Sequence, residues 1–186
     1  MFEIATKKNM IAIDTTEDRR VPIAHGSIGM EILDDLEDVQ TVLVPCSSGG
    51  LIAGIASAIK LQRPSIRVVG VQPNGAAAAY HSLLARKPVT IDNWNSIADG
   101  LAATTPGNLP FVHIKERVDD IVLVSEEDII NSFLKLLNES KILCEPAGAV
   151  SAAAFFAKKL VNPGKTVSIV SGGNLTTELL LQLLSS

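Results

Sequence analysis

The stretch Thr41-Val42-Leu43-Val44-Pro45-Cys46-Ser47-Ser48-Gly49-Gly50-Leu51-Ile52-Ala53-Gly54 reads as strand, small-residue loop and helix in immediate succession. Its β-branched run is short and unalternated, as expected of a strand buried on both faces. The apolar run that follows is long enough for a helix, predicted over residues 51–62. The same alternation recurs on either side. Strands are predicted over residues 10–13, 66–71, 121–124 and 166–170. Helices are predicted from Ser27 through Leu36, and over residues 76–86, 129–140, 147–160 and 176–184. Ser125-Glu126-Glu127-Asp128 offers a capping box at the start of the fourth helix. Residues 87–110 show no clear period and hold three of the nine prolines and the one Trp. Strand and helix in alternation predict an α/β fold: an open, twisted, mainly parallel sheet with helices on both faces, formed as a single domain over residues 1–186.

Composition removes several function classes. Of the 186 residues, 47% are hydrophobic and 19% charged, which is too apolar for an intrinsically disordered chain. Lys and Arg number 16 against 20 Asp and Glu, so the basic surplus of a nucleic-acid binder is missing. The apolar stretches fall short of a membrane span, and no apolar leader opens the chain, so a soluble cytoplasmic protein is expected. Cys46 and Cys144 have no neighbouring Cys or His at zinc-ligand spacing, and no metal site is expected.

In open parallel sheets, ligands bind beyond the carboxyl ends of the strands. At one such end, Ser47, Ser48, Gly49, Gly50 and Leu51 let backbone N–H groups converge on an anion at a helix start. No Lys follows the glycines and the spacing is not GxGxxG, so neither a Walker loop nor a dinucleotide fingerprint is present. A tight βα turn that binds nothing has the same local pattern. A second strand end, Ser171-Gly172-Gly173-Asn174, presents a hydroxyl on an approachable backbone. Ala98-Asp99-Gly100 and Cys144-Glu145-Pro146-Ala147-Gly148 each place a carboxylate beside a turn or a helix start, where a solvated cap is the plain alternative.

In order and spacing these segments, together with Asp119-Asp120-Ile121 and Ala24-His25-Gly26-Ser27-Ile28, resemble the serine/threonine dehydratase and serine racemase family of fold-type II pyridoxal-phosphate enzymes. The resemblance implies that the backbone of Ser47, Ser48, Gly49, Gly50 and Leu51 cradles the phosphate of pyridoxal 5′-phosphate, and that Ser171 hydrogen-bonds the pyridine nitrogen. It implies further that Asp99, Gly100 and Glu145 line the pocket. The implied activity is β-elimination from L-threonine or L-serine to a 2-oxo acid and ammonia. Serine racemisation, or a non-catalytic anion- or cofactor-binding protein derived from this fold, are the alternatives.

The sequence departs from the family pattern in several places. The cofactor-bearing lysine of a Ser-Phe-Lys-x-Arg-Gly segment is absent, as is the small-domain Ser-x-Gly-Asn loop that grips the substrate. The expectation is a C-terminal portion of such an enzyme, inactive alone, forming a homo-oligomer or pairing with a partner that carries the N-terminal half. Ser47 and Ser48 stand where the family has glycines, and His25 where it has Gln. Gln72-Pro73-Asn74-Gly75-Ala76-Ala77-Ala78 lacks the two carboxylates with which some relatives hold a divalent cation. After Ser171 there is no room for a regulatory domain, so the shorter, unregulated branch of the family is the expected likeness.

Overall fold

The computed structural model describes residues 2–185. Among them are four strands, β1 (Thr41–Pro45), β2 (Arg67–Pro73), β3 (Asp120–Val124) and β4 (Thr166–Ser168). The helices are α1 (Phe2–Lys7), α2 (Arg20–Asp35), α3 (Gly50–Gln62), α4 (Ala78–Ala85), α5 (Asn108–Arg117), α6 (Glu126–Lys135), α7 (Pro146–Phe156) and α8 (Thr177–Leu184). All strands pair in parallel, in the order β3-β2-β1-β4. Thr41 stands opposite both Arg67 and Thr166, which fixes β1 at the centre.

The strand side chains divide cleanly between two layers. Val42, Val44 and Val68 face a core with Ile52, Ile55 and Ile59 of α3, Leu33 of α2 and Ile114 of α5. Leu43, Val69 and Val71 face the opposite way, onto Val150, Ala153 and Ala154 of α7 and Ile129 of α6. This period-2 alternation with apolar residues on both faces is why the strands read as continuous hydrophobic runs. Each fully buried Ile or Leu is worth about 1.5–3 kcal/mol of transfer free energy. The Ala-rich α7 packs close against the sheet because its facing side chains are small.

Several expectations are corrected. Residues 10–13 form no strand: Ile11 is 81% exposed and pairs with nothing in the sheet, so a β-branched run without a neighbouring strand stays irregular. Helix α2 begins at Arg20 rather than Ser27, because Pro22 falls in its first turn, where a missing N–H costs nothing. Residues 87–110 hold a 3-10 turn at Asp99–Leu101 and the first residues of α5. Helix α6 gives way to a π turn over Leu136–Ser140, α7 stops at Phe156 and β4 at Ser168. The Ser125 capping box is present: Ser125 Oγ accepts from Asp128 N at 3.1 Å, and Asp128 Oδ2 accepts from Ser125 N at 2.9 Å. No helix among the described residues is long and apolar enough to cross a membrane.

Candidate functional site

The strand order places the site. From β1 the chain steps outward to β2 and β3, whereas β4 lies on the opposite side of β1. The loops leaving the carboxyl ends of β1 and β4 therefore diverge and open a crevice at the switch point. Residues 47–51 come from the first of these loops and Ser171 from the second. Both line one cavity of about 590 Å³, together with Gly100, Leu101 and a wall built from Ile13, Thr15, Arg20, Val21, Ala24 and His25.

The β1 loop is built to present amides. Gly49 caps α3 with φ +105°, a conformation a side chain would strain, and no side chain caps the helix. The first intrahelical bond runs from Ala53 N to Gly49 O at 2.9 Å, so the preceding amides of α3 remain for an outside acceptor. The loop is braced from two sides: Ser47 Oγ accepts from Ala103 N at 3.2 Å, and Ser48 O accepts from Gly107 N at 2.9 Å. The serine hydroxyl is thus part of the brace. Cys46, just ahead of the loop, is wholly buried, and burial pushes its thiol up to about 12, which leaves it protonated and unreactive.

Across the cavity the Ser171 segment is seated on Glu145. Glu145 N donates to Gly172 O at 3.2 Å, and Asn174 N donates to Glu145 Oε2 at 2.9 Å. Glu145 is not among the residues that line the cavity, although its Oε1 lies 3.4 Å from the point where a Cβ on Gly100 would stand. Gly100 does line it, while Asp99 begins the 3-10 turn with its side chain exposed. Ile97 N donates to Glu126 Oε2 at 2.8 Å, which anchors the segment entering that turn.

In the wall from α2, motif reading found the segment holding Ala24 and His25 but gave it no place at the site, and it missed Arg20 and Val21. Arg20, Val21, Ala24 and His25 recur at helical spacing on one face, a signal hidden while the helix was taken to start at Ser27. Arg20 is held by Asp18, and the Arg20 side chain lowers the Asp18 carboxyl to about 2. His25 Nδ1 is buried without a hydrogen-bond partner. No carboxylate and no lysine lines the cavity among the described residues. Its polar groups are amides, hydroxyls, an imidazole and a guanidinium, a donor set suited to an anion.

The α/β sheet, with an uncapped helix start and a facing Ser-Gly-Gly-Asn turn at the switch point, matches the fold of the fold-type II pyridoxal-phosphate enzymes. The family described as pyridoxal-phosphate dependent enzyme matches residues 1–172, and the chain belongs to it. It is similar to L-threonine dehydratase catabolic TdcB of Escherichia coli (strain K12), 45% identical over 179 residues, covering 93% of this chain and 54% of that protein. L-threonine ammonia-lyase of Thermotoga maritima is 36% identical over 184 residues, with 99% and 46% covered. Among solved structures, the processed form of threonine deaminase isoform 2 from Solanum lycopersicum superposes with TM-score 0.90 at 32% identity, covering 98% of this chain and 51% of that one. Maize serine racemase gives TM-score 0.90 at 30% identity, with 99% and 57% covered. The chain spans about half the length of these relatives.

Pyridoxal phosphate, the cofactor of this family, fits the residues present at its phosphate end. The free amides at the start of α3 suit a phosphate dianion, and the carboxylate-free lining does not oppose it.

Proposed function

We propose that the chain is the phosphate-binding portion of a pyridoxal-phosphate-dependent L-threonine or L-serine ammonia-lyase, not active by itself. One observation carries the reading. Residues 47–51 and Ser171 line one cavity that lacks a lysine among the described residues. The amides of Ser47, Ser48, Gly49, Gly50 and Leu51 bind the cofactor phosphate, and Ser171 hydrogen-bonds the pyridine nitrogen. A neutral hydroxyl there does not force that nitrogen to be protonated. When bound, the cofactor supplies an electron sink conjugated to the substrate α-carbon. Gly100 and Leu101 close the wall beside the ring, and Glu145 holds the Ser171 turn in place through Asn174. The amine that would anchor the cofactor and move the α-proton lies outside these residues, in an N-terminal half carried by the same polypeptide or by a partner. The substrate loses its β-hydroxyl as water, and hydrolysis of the resulting enamine returns that water, giving a 2-oxo acid and ammonia. A cytoplasmic location fits such an enzyme.

The partner half is proposed to dock at β4. Its outer edge carries no strand among the described residues, and Val167 and Ile169 beside it are only partly buried. The serine racemase likeness supports a second reading, racemisation by the complete enzyme, which needs the same α-proton removal but reprotonation on the opposite face.

The test is to incubate the chain with pyridoxal phosphate, reduce with borohydride and map adducts by mass spectrometry. The chain is then mixed with an N-terminal half of a threonine dehydratase. Scattered, substoichiometric labelling alone and 2-oxo acid formation on mixing are expected. One stoichiometric adduct on a single lysine of this chain would overturn the two-part reading. A stable mixed complex that binds the cofactor yet turns over neither amino acid would favour a non-catalytic binding protein.

A further inference from the structure

The cavity is roofed on one side by a strap, residues 13–18, that runs from the irregular N-terminal stretch into α2. Thr15 lines the cavity, and its carbonyl oxygen lies 3.3 Å from the point where a Cβ on Gly50 would stand. The strap is a defined turn: Asp14 Oδ1 accepts from Thr16 N at 2.8 Å and from Glu17 N at 3.2 Å, and Asp18 N donates to Asp14 O at 2.9 Å. Its outer fastening is Glu17. One carboxylate oxygen accepts from Asn108 N at 2.7 Å and Asn108 Nδ2 at 3.2 Å, and the other accepts from Leu109 N at 3.1 Å.

Those amides open α5, whose N-cap is Gly107 and which has no side-chain cap of its own. Uncapped first-turn amides need an acceptor, and here it arrives from a distant part of the chain. The same helix start bears on the phosphate cradle. Gly107 N donates to Ser48 O, and Pro110 and Ile114 of α5 lie against Gly49. Strap and cradle are thus fastened to one three-residue anchor, residues 107–109.

We propose that Glu17 is a positioning residue for the anion cradle: it latches the strap and the start of α5 together, and so fixes the direction of the amides at residues 49–51. The proposal rests on the cofactor-site reading above. Its effect runs against simple electrostatics. Glu17 is a negative charge near an anion site, so its neutralisation alone would strengthen phosphate binding, by an amount that salt screens. Loss of the latch weakens binding instead. Glu17→Gln keeps the size but can accept at one oxygen only, and Glu17→Ala keeps neither.

The experiment titrates the full chain and both variants with pyridoxine 5′-phosphate, which cannot label lysines, and with inorganic phosphate. Calorimetry at physiological ionic strength, well below the melting temperature, reads the affinity. Hydrogen exchange of the amides at residues 49–51 and 108–109 is followed without ligand. Expected are about tenfold weaker binding of pyridoxine 5′-phosphate by Glu17→Gln, weaker still by Glu17→Ala, and faster exchange at both amide groups. Unchanged or tighter binding by the variants, with wild-type binding intact, would overturn the latch alone, and a lowered Tm beside it would mark Glu17 as merely structural. Failure of the wild-type chain to bind either probe would overturn the cofactor-site reading and the latch with it.

Discussion

Gly49 shows how narrowly single positions are set. Its φ of +105° lies where only glycine is at ease, and a Cβ there would stand 2.6 Å from Ile114 Cδ1 and 3.1 Å from Pro110 Cβ. Gly49→Ala is expected to cost about 1–3 kcal/mol in urea unfolding, and to weaken phosphate binding beyond the loss of stability. A variant as stable as wild type would show that α5 shifts freely away from the loop. The adjacent serines behave otherwise: Ser47 uses its hydroxyl to brace the loop, so the small residues ahead of the glycines are part of the support. Residues 47–51, Gly100 and Ser171 were singled out in the sequence by short local motifs, and the fold brings all of them to one cavity. Asp99 and Glu145 were read from equally clear motifs and are not among the residues that line the cavity, since a motif does not give the direction of a side chain.

Among the elements, helix starts divide by the source of their caps. Helix α6 carries its own, with Ser125 and Asp128 exchanging bonds across one turn, and four consecutive residues announced it. Ser125→Ala is expected to lower stability by about 1 kcal/mol, seen as a lower urea midpoint at unchanged slope; a midpoint within error of wild type would mean that Asp128 alone holds the turn. Helix α5 was not legible. Its first turn holds Pro110, which reads as a breaker, and its cap is Glu17, far away in sequence. Residues 10–13 mislead in the other direction, because a β-branched run signals a strand only when another strand lies beside it.

At the scale of the whole molecule, the sheet formed by the described residues ends at β4 with an open edge, and Ile11, Ile23, Leu61 and Val161 are largely exposed elsewhere on the surface. Open edges and exposed apolar groups invite association. The chain alone is expected to show concentration-dependent self-association in light scattering, relieved by an N-terminal half that forms a one-to-one complex; a monodisperse monomer at high concentration would count against this. The parallel sheet with helices on both faces was legible because alternation of element types is a global pattern, while element boundaries depended on contacts the sequence does not display. The pairing of Thr41 with Thr166 brings together strands far apart in the sequence. Such distant contacts carry the largest loop-closure entropy and raise contact order. The crevice between β1 and β4 therefore exists only where these two strands are paired. A ligand that needs both of its walls discriminates chains in which that pair has formed from those in which it has not, and its binding energy is added to the strand contact of widest sequence separation in the sheet.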